Sequence, residues 1–255
     1  MKISIITVSF NSGTTIETTL KSVAGQTYKD IEHIVVDGGS TDSTLEIINR
    51  YRAGIARFIS ESDNGIYDAM NKGISVATGQ VIGILNADDF YTHEMVLDMI
   101  AEAFRNNQID SCYGDLMYVD TVDTNQKLRH WRSGPFNVNR FYLGWMPAHP
   151  TFFVRRCVYE RYGLFNLHLG TAADYELTLR FLFKHKVPTA YIPTVLVMMR
   201  NGGASNSSFG ARLYTLVNVR KAWQINGLKP KPWTFICRIL YKLPQYVDAL
   251  LNSKK

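Results

Sequence analysis

Four apolar runs near the start of the chain each end in a polar cluster, and each of the first three leads into a segment with helical patterning. Ile3 to Ser9 is rich in β-branched residues, and a helical pattern follows from about Thr14 to Val23. Ile31 to Val36 is a second strand, with Asp42 placed to cap a helix reaching about Tyr51. Ile55 to Ser60, a helix over Tyr67 to Ala77, and Val81 to Leu85 complete the series. Strands that alternate with helices in this way predict an α/β fold, an open parallel sheet with helices on its faces. Such sheets bind ligands beyond the carboxyl ends of their strands, which makes the polar clusters the place to look for chemistry.

Those clusters carry the right atoms. The first run ends in Thr7-Val8-Ser9-Phe10-Asn11 and the second in Asp37-Gly38-Gly39-Ser40-Thr41-Asp42. The third leads into Glu61-Ser62-Asp63-Asn64-Gly65, and the fourth into Asn86-Ala87-Asp88-Asp89. Adjacent carboxylates repel unless a cation neutralises them, and hard oxygen ligands select Mg²⁺ or Mn²⁺, which bind through one or two carboxylates plus substrate phosphates. Asp88 and Asp89 are therefore a candidate metal-diphosphate site. Asp37 is a candidate acceptor for a uracil imide N–H, and Lys72, with the early N–H groups of the helix beginning at Tyr67, a candidate phosphate holder.

The second half is looser. Asp110 to Val119 and Lys127 to Arg132 read as strands joined by a polar hairpin, Ala173 to Lys184 as a helix and Tyr191 to Met198 as a strand. His149 lies between two prolines in Met146-Pro147-Ala148-His149-Pro150. Trp131 and Trp145 are candidates for stacking on sugar rings or for core packing. Arg200 and the run Gly202-Gly203-Ala204-Ser205 are candidates for a flap over the diphosphate, with the guanidinium offsetting leaving-group charge.

Taken together, Thr7 to Asn11, Val36 to Asp42, Asp63-Asn64-Gly65-Ile66-Tyr67-Asp68-Ala69-Met70-Asn71-Lys72-Gly73 and Leu85 to Asp89 strongly resemble the inverting family 2 glycosyltransferases of the GT-A (Rossmann-like) fold, above all bacterial members that build surface polysaccharides. The resemblance covers residues 1 to about 200. It implies a mostly parallel sheet, a nucleotide-sugar donor, UDP-linked, and a divalent metal, Mn²⁺ or Mg²⁺. It places Thr7, Ser9, Asp37, Asp63, Asp68, Lys72, Asn86 and Asp88 on the donor, with Asp37 at the base and Asp89 touching the ion beside Asp88. Ala172-Ala173-Asp174-Tyr175-Glu176-Leu177 resembles the acidic motif whose Asp deprotonates the acceptor. That makes Asp174 the expected catalytic base and leaves Glu176 as a second candidate, because Ala173 stands where an acidic residue often precedes the Asp. His149 and Arg200 are expected at the acceptor or flap. Polymerising relatives carry Gln-x-x-Arg-Trp after the base motif. Here Gln126 to Trp131 has one residue too many and precedes Asp174, so addition of a single sugar is expected.

Composition places the rest. The chain of 255 residues has a net charge of +6. From Arg212 to Lys255 lie nine basic residues against Asp248 alone, leaving the preceding body slightly acidic. A basic nucleic-acid-binding protein would spread its charge over one folded face and is disfavoured. A sugar nucleotidyltransferase shares the architecture, but Asn11 to Thr15 lacks the basic residue its triphosphate loop needs. The expected domains are 1–208, with a donor half to about 106 and an acceptor half from 107, and a helical basic tail over 209–255. Within the tail, Trp233 to Leu243 mixes aromatic, aliphatic and basic residues as an interfacial helix does. Three scattered cysteines suit a reducing compartment. The N-terminus reads as a strand rather than a signal peptide, and no apolar run is long enough to span a bilayer. The expectation is a cytoplasmic enzyme, peripheral on the cytoplasmic face of the inner membrane, with a glycan or polyprenyl-diphosphate-linked acceptor.

Overall fold

The apolar runs pair side by side as their length and β-branching require. The computed structural model describes residues 1–202 and 209–240. Strands β1 (Ile3–Ser9), β2 (Ile31–Asp37), β3 (Arg57–Ser60) and β4 (Val81–Ile84) lie in the order β3-β2-β1-β4, all parallel, with Ile3 opposite Ile31 and Ser9 opposite Asp37. The connecting helices are α1 (Ile16–Ala24), α2 (Thr44–Arg50) and α3 (Ile66–Val76). Alternation along each strand sends neighbouring side chains to opposite faces. Ile6, Ile34 and Val36 meet Ala69, Met70 and Ile74 of α3, whereas Val35 meets Ile16 and Leu20 of α1 and Ile47 and Ile48 of α2. Every residue of β1 is buried, so the first strand is the spine of the sheet.

The second half extends the same sheet with antiparallel pieces. Its elements are β5 (Asp89–Tyr91), α4 (Val96–Ala103), β6 (Ser111–Val119), β7 (Lys127–Trp131), β8 (Phe153–Arg155), α5 (Arg156–Tyr162), α6 (Ala173–Thr178) and β9 (Thr189–Arg200). Beyond β4 the order runs β8-β6-β9-β5, with β7 on the free part of β6. Only the β6–β9 contact is parallel there. The strands β5 and β8 have three residues each and left no periodicity to read. The register of β9 slips against β6 between Tyr191 and Val195, where Pro193 has no N–H to give the ladder. That bulge lets one strand run from Thr189 to Arg200, longer than the apolar pattern indicates. The helix expected to end at Lys184 is α6 continued by a π-helical turn that buries Phe181 and Leu182.

Helices α7 (Phe209–Ile225) and α8 (Thr234–Leu240) follow. The boundary expected at residue 208 does not separate two packing units. Val219, Ala222 and Trp223 of α7 are fully buried in the core shared with α6, and the Trp223 indole donates to the Tyr175 hydroxyl at 3.0 Å. Glu176, read as a second base candidate, is spoken for in the same place. It is 2 % exposed, pairs twice with Arg180 at 2.9 and 3.1 Å, and accepts from Asn226 at 2.8 Å. Arg180 also donates to the carbonyls of Tyr162 and Leu164. The carboxylate is a bolt between α6, α7 and the preceding loop, shut away from solvent. The flap run after Gly202 and the interfacial segment after Leu240 lie outside the described residues.

Two stability predictions follow from this packing. Glu176→Ala leaves Arg180 buried without its counter-charge and is expected to cost about 3 kcal/mol or more, read as a fall in the urea midpoint. The second concerns His33 on β2, which is 4 % exposed with its Nε2 3.0 Å from the Thr7 hydroxyl; burial lowers its pKa to about 4. Unfolded, it titrates near 6.5, so between these values the unfolded chain binds more protons. The stability this histidine contributes is complete above about pH 6.5 and lost as pH falls through 4. Wild type is expected to be about 2 kcal/mol less stable at pH 5 than at pH 7.5 from this group, and His33→Gln should remove that difference in paired urea titrations.

Candidate active site

The buried carboxylate of Asp37 organises the strand ends. It is 0 % exposed and accepts from the hydroxyls of Ser9, Ser40 and Ser60 and from the amides of Gly39 and Ser40. One side chain thus ties the ends of β1, β2 and β3 to the loop between them. Asp37 was expected to meet the base; in this structure its oxygens are engaged by donors inside the protein. Thr7, expected on the donor, is likewise buried and held by His33.

What this network builds is a cleft of about 720 Å³ lined by Phe10, Asn11, Gly38, Asp63, Asn86 and Asp88, among others including Ser9. Asn11 sits at φ 47°, a left-handed conformation that Asn tolerates, and its side chain accepts from the Thr41 amide at 2.9 Å. At Gly38 a Cβ would come within 2.6 Å of the Asp63 carboxylate, so the missing side chain is what lets Asp63 approach the cleft floor. Phe10 is 61 % exposed at this cleft, an aromatic ring left open to solvent. Neither Phe10 nor Gly38 was singled out from sequence, although the surplus of apolar exposure at a strand end was there to notice.

Lys72 and Asp68 do not line the cleft. Lys72 pairs with Glu61 at 2.8 Å and Asp68 at 3.7 Å and donates to the Ser62 carbonyl, while Asp68 accepts from the Asn64 amide. Both hold the loop before α3 in shape, and Lys72, expected to meet phosphate, makes these contacts in this structure. Asn71 of the same block does a similar job at longer range, exchanging hydrogen bonds with the backbone of Phe165 in both directions at 2.9 Å.

A second cavity of about 200 Å³ adjoins the first. Its lining includes Tyr67, Asn86, Asp88, His149, Phe165 and Asp174, so Asn86 and Asp88 are common to both. Asp174 lies in the first turn of α6, 16 % exposed, and its Oδ1 accepts from the Tyr175 amide at 2.6 Å. The cap position belongs to Ala172, and Asp174, two residues further on, engages the helix start through the Tyr175 amide alone. His149 Nδ1 approaches Asp174 Oδ2 at 3.2 Å, though out of hydrogen-bond alignment, and the Trp131 ring stands edge-on to the imidazole at 6.3 Å. Trp145, by contrast, is fully buried among Tyr113, Phe136 and Phe141 and is a core residue. Tyr67 faces Asp174, and burial together with that carboxylate holds its hydroxyl well above the usual tyrosine range.

The paired carboxylates divide their roles. Asp88 opens on both cavities, and burial raises its pKa, opposed by Arg200 and His149. Asp89, expected to touch the ion, is 0 % exposed and lines neither cavity; burial and then the charge of Asp88 push it well up. It begins β5, so the pleat turns it inward as Asp88 turns outward. Arg200, expected on a flap, ends β9 at 8 % exposure and donates to the Asp88 carbonyl at 2.8 Å and the Thr18 hydroxyl at 3.3 Å. Asn86 Oδ1 and Asp89 Oδ1 are buried acceptors without a hydrogen-bond partner. Of these, the Asn86 oxygen lies beside Asp88 on both cavities, and the two together suit a hard divalent cation. No group of three His, Cys, Asp or Glu that could hold a metal occurs among the described residues, so the rest of such a shell would fall to phosphate and water.

Known proteins share this architecture. A structure of Staphylococcus aureus TarS residues 1–349 with UDP-GlcNAc superposes with a TM-score of 0.68 at 19% identity, over 98% of this chain and 80% of that one. A mannosyltransferase from Pyrobaculum calidifontis, in complex with GDP-Man and Mn²⁺, gives 0.64 at 18% identity over 99% and 75%. Both share the GT-A fold. Among sequences, a PGL/p-HBAD biosynthesis glycosyltransferase of Mycobacterium bovis is 33% identical over 208 residues, 80% of this chain and 79% of its own length. An uncharacterized glycosyltransferase of Mycobacterium tuberculosis is 34% identical over 181 residues, 70% and 68% respectively. The model of "Glycosyl transferase family 2" matches residues 4–163, well over half of the chain. The family model over most of the chain, these relatives and the GT-A sheet make the chain a member of glycosyl transferase family 2.

Proposed function

We propose that this glycosyltransferase moves one sugar from a UDP-linked donor to a hydroxyl of a glycan or lipid-linked saccharide, with inversion at the anomeric carbon and with Mn²⁺ or Mg²⁺ as cofactor. The observation that carries the reading is that Asp174 shares a cavity with Asp88, which in turn opens onto the larger cleft. A base and a diphosphate-facing group thus bracket one space the size of a sugar ring. The UDP-GlcNAc and GDP-Man complexes of the neighbours support a nucleotide-sugar donor, and the second supports a divalent ion.

In this mechanism the nucleoside occupies the cleft between Phe10 and Asp63, with the ring of Phe10 available to stack on the base and the Asp63 carboxylate within reach of polar edges. Asp88 with Asn86 would hold the cation, which neutralises the charge that builds on the departing diphosphate. The Tyr175 amide fixes one oxygen of Asp174 and leaves the other for the acceptor. As the acceptor oxygen bonds to the anomeric carbon, the bond from that carbon to the diphosphate breaks, and the acceptor proton passes to Asp174 Oδ2. His149, beside that oxygen, then faces a neutral acid instead of a carboxylate. Work on the cytoplasmic side, where nucleotide sugars are made, fits the reading, and no described helix is long and apolar enough to cross a membrane.

Three measurements bear on it. Asp174→Asn is expected to lower kcat by about 10²- to 10⁴-fold while calorimetric UDP affinity stays at the wild-type value; near-normal turnover removes Asp174 as the base. Asp88→Asn is expected to weaken Mn²⁺-dependent UDP binding by about tenfold or more, and Asp89→Asn by less, because Asp89 lines neither cavity. The opposite order would return the ion to Asp89. Finally, chromatography of the reaction should show UDP; inorganic pyrophosphate instead would establish a sugar nucleotidyltransferase.

A further inference from the structure

Helix α8 is seated the wrong way round for a helix that completes a core. Trp233, Ile236, Ile239 and Leu240 recur at helical spacing along one side, and each is at least half exposed, Ile236 at 62 %. The opposite side carries the attachments. Thr234 is buried, and Arg238 donates to the Gly144 carbonyl at 3.2 Å and lies 4.2 Å over the Tyr175 ring. Gly144 makes the seat possible: a Cβ there would meet the Arg238 Cα at 2.3 Å, and its φ of 76° is one that glycine adopts freely. The helix is therefore fixed by Thr234, Phe235 and Arg238 and offers Trp233, Ile236, Ile239 and Leu240 outward.

Charge says what meets that side. From Phe209 to Leu240 the sequence has six Lys and Arg and no Asp or Glu. Arg220 and Lys221 on α7, and Lys229 and Lys231 in the connection leading into α8, are all exposed. An apolar stripe headed by a tryptophan, entered through the exposed Lys229 and Lys231 in a segment without acidic residues, is complementary to anionic lipid headgroups over acyl chains. A soluble protein partner would more often meet a stripe rimmed by both signs of charge. We propose that α8 and the connection before it form the surface by which the enzyme docks on an anionic bilayer, and that docking presents the acceptor end of the catalytic cavity to the lipid surface. The second clause rests on the glycosyltransferase reading. Its geometric basis is that Arg238 packs on Tyr175, the residue next to Asp174. A lipid-linked acceptor could then reach the base without leaving its membrane.

The test uses the full chain and the double variant Ile236→Asp/Ile239→Asp, both sites exposed and expected to leave the melting temperature unchanged. In flotation assays wild type should associate with vesicles of phosphatidylcholine mixed with phosphatidylglycerol and not with phosphatidylcholine alone. Trp233 fluorescence should shift to the blue on binding, and a Trp233→Phe control should abolish the shift. The double variant should lose about tenfold or more in partitioning. Turnover of a water-soluble acceptor should be unchanged, while turnover of a lipid-linked acceptor in vesicles should fall. The proposal is overturned if wild type ignores anionic vesicles or the variant binds them equally well. It is also overturned if light scattering shows a wild-type dimer that the variant dissociates, since a second copy would then cover the face. Vesicle binding without any sugar transfer would retain the docking surface and reject the glycosyltransferase reading instead.

Discussion

A single buried carboxylate sets the geometry on which the donor cleft depends. A charge enclosed in protein costs several kcal/mol unless its oxygens are fully engaged, so the donors around Asp37 have little freedom to be elsewhere. Ser9, Gly39, Ser40 and Ser60 come from different strand ends, and satisfying one acceptor forces them into register. The backbone that results leaves Gly38 flat against Asp63 and turns Asn11 into a left-handed bend, and these are the contours of the strand-end cleft. Electrostatic necessity inside the protein thus shapes a surface outside it.

The donor half was legible because its information is local. Strand β1 runs over the residues its β-branching marks, and α3 begins within one residue of the expected start. Roles at the strand ends were less legible, because residue type does not say which way a side chain points. Asp37 and Asp89 are the two cases. Serines and glycines that follow Asp37 fold back on it as an Asx-type turn, and the start of β5 turns Asp89 into the protein. Of the acceptor half, Asp174 was singled out by its motif and lines the second cavity, while β5 and β8 were invisible, since three residues carry no period. The basic stretch after residue 208 misled in a different way. Its charge suggested a tail, yet the buried stripe Val219, Ala222 and Trp223 makes α7 part of the core.

The two halves of the sheet divide the chemistry. Parallel strands present their ends together and build the larger cleft, as strand-end sites do in open sheets. The antiparallel extension brings α6 and the His149 turn over that edge, supplying a carboxylate that the parallel part has no means of placing. Aromatic packing between them, with Tyr67 near Phe165 at 5.3 Å, makes the junction a wall of the second cavity instead of a gap.

The bond from Arg200 to the carbonyl of Asp88 spans 112 residues of sequence. It means that the phosphate-facing loop is not finished when the strand that carries it has formed. During synthesis, the chain up to Asp89 can assemble its parallel strands, but the guanidinium that braces their active edge arrives only after β9 has emerged and paired with β5 and β6. An incompletely made chain would therefore hold a sheet whose strand-end loop lacks its brace, and the edge would be completed only by the later half of the protein.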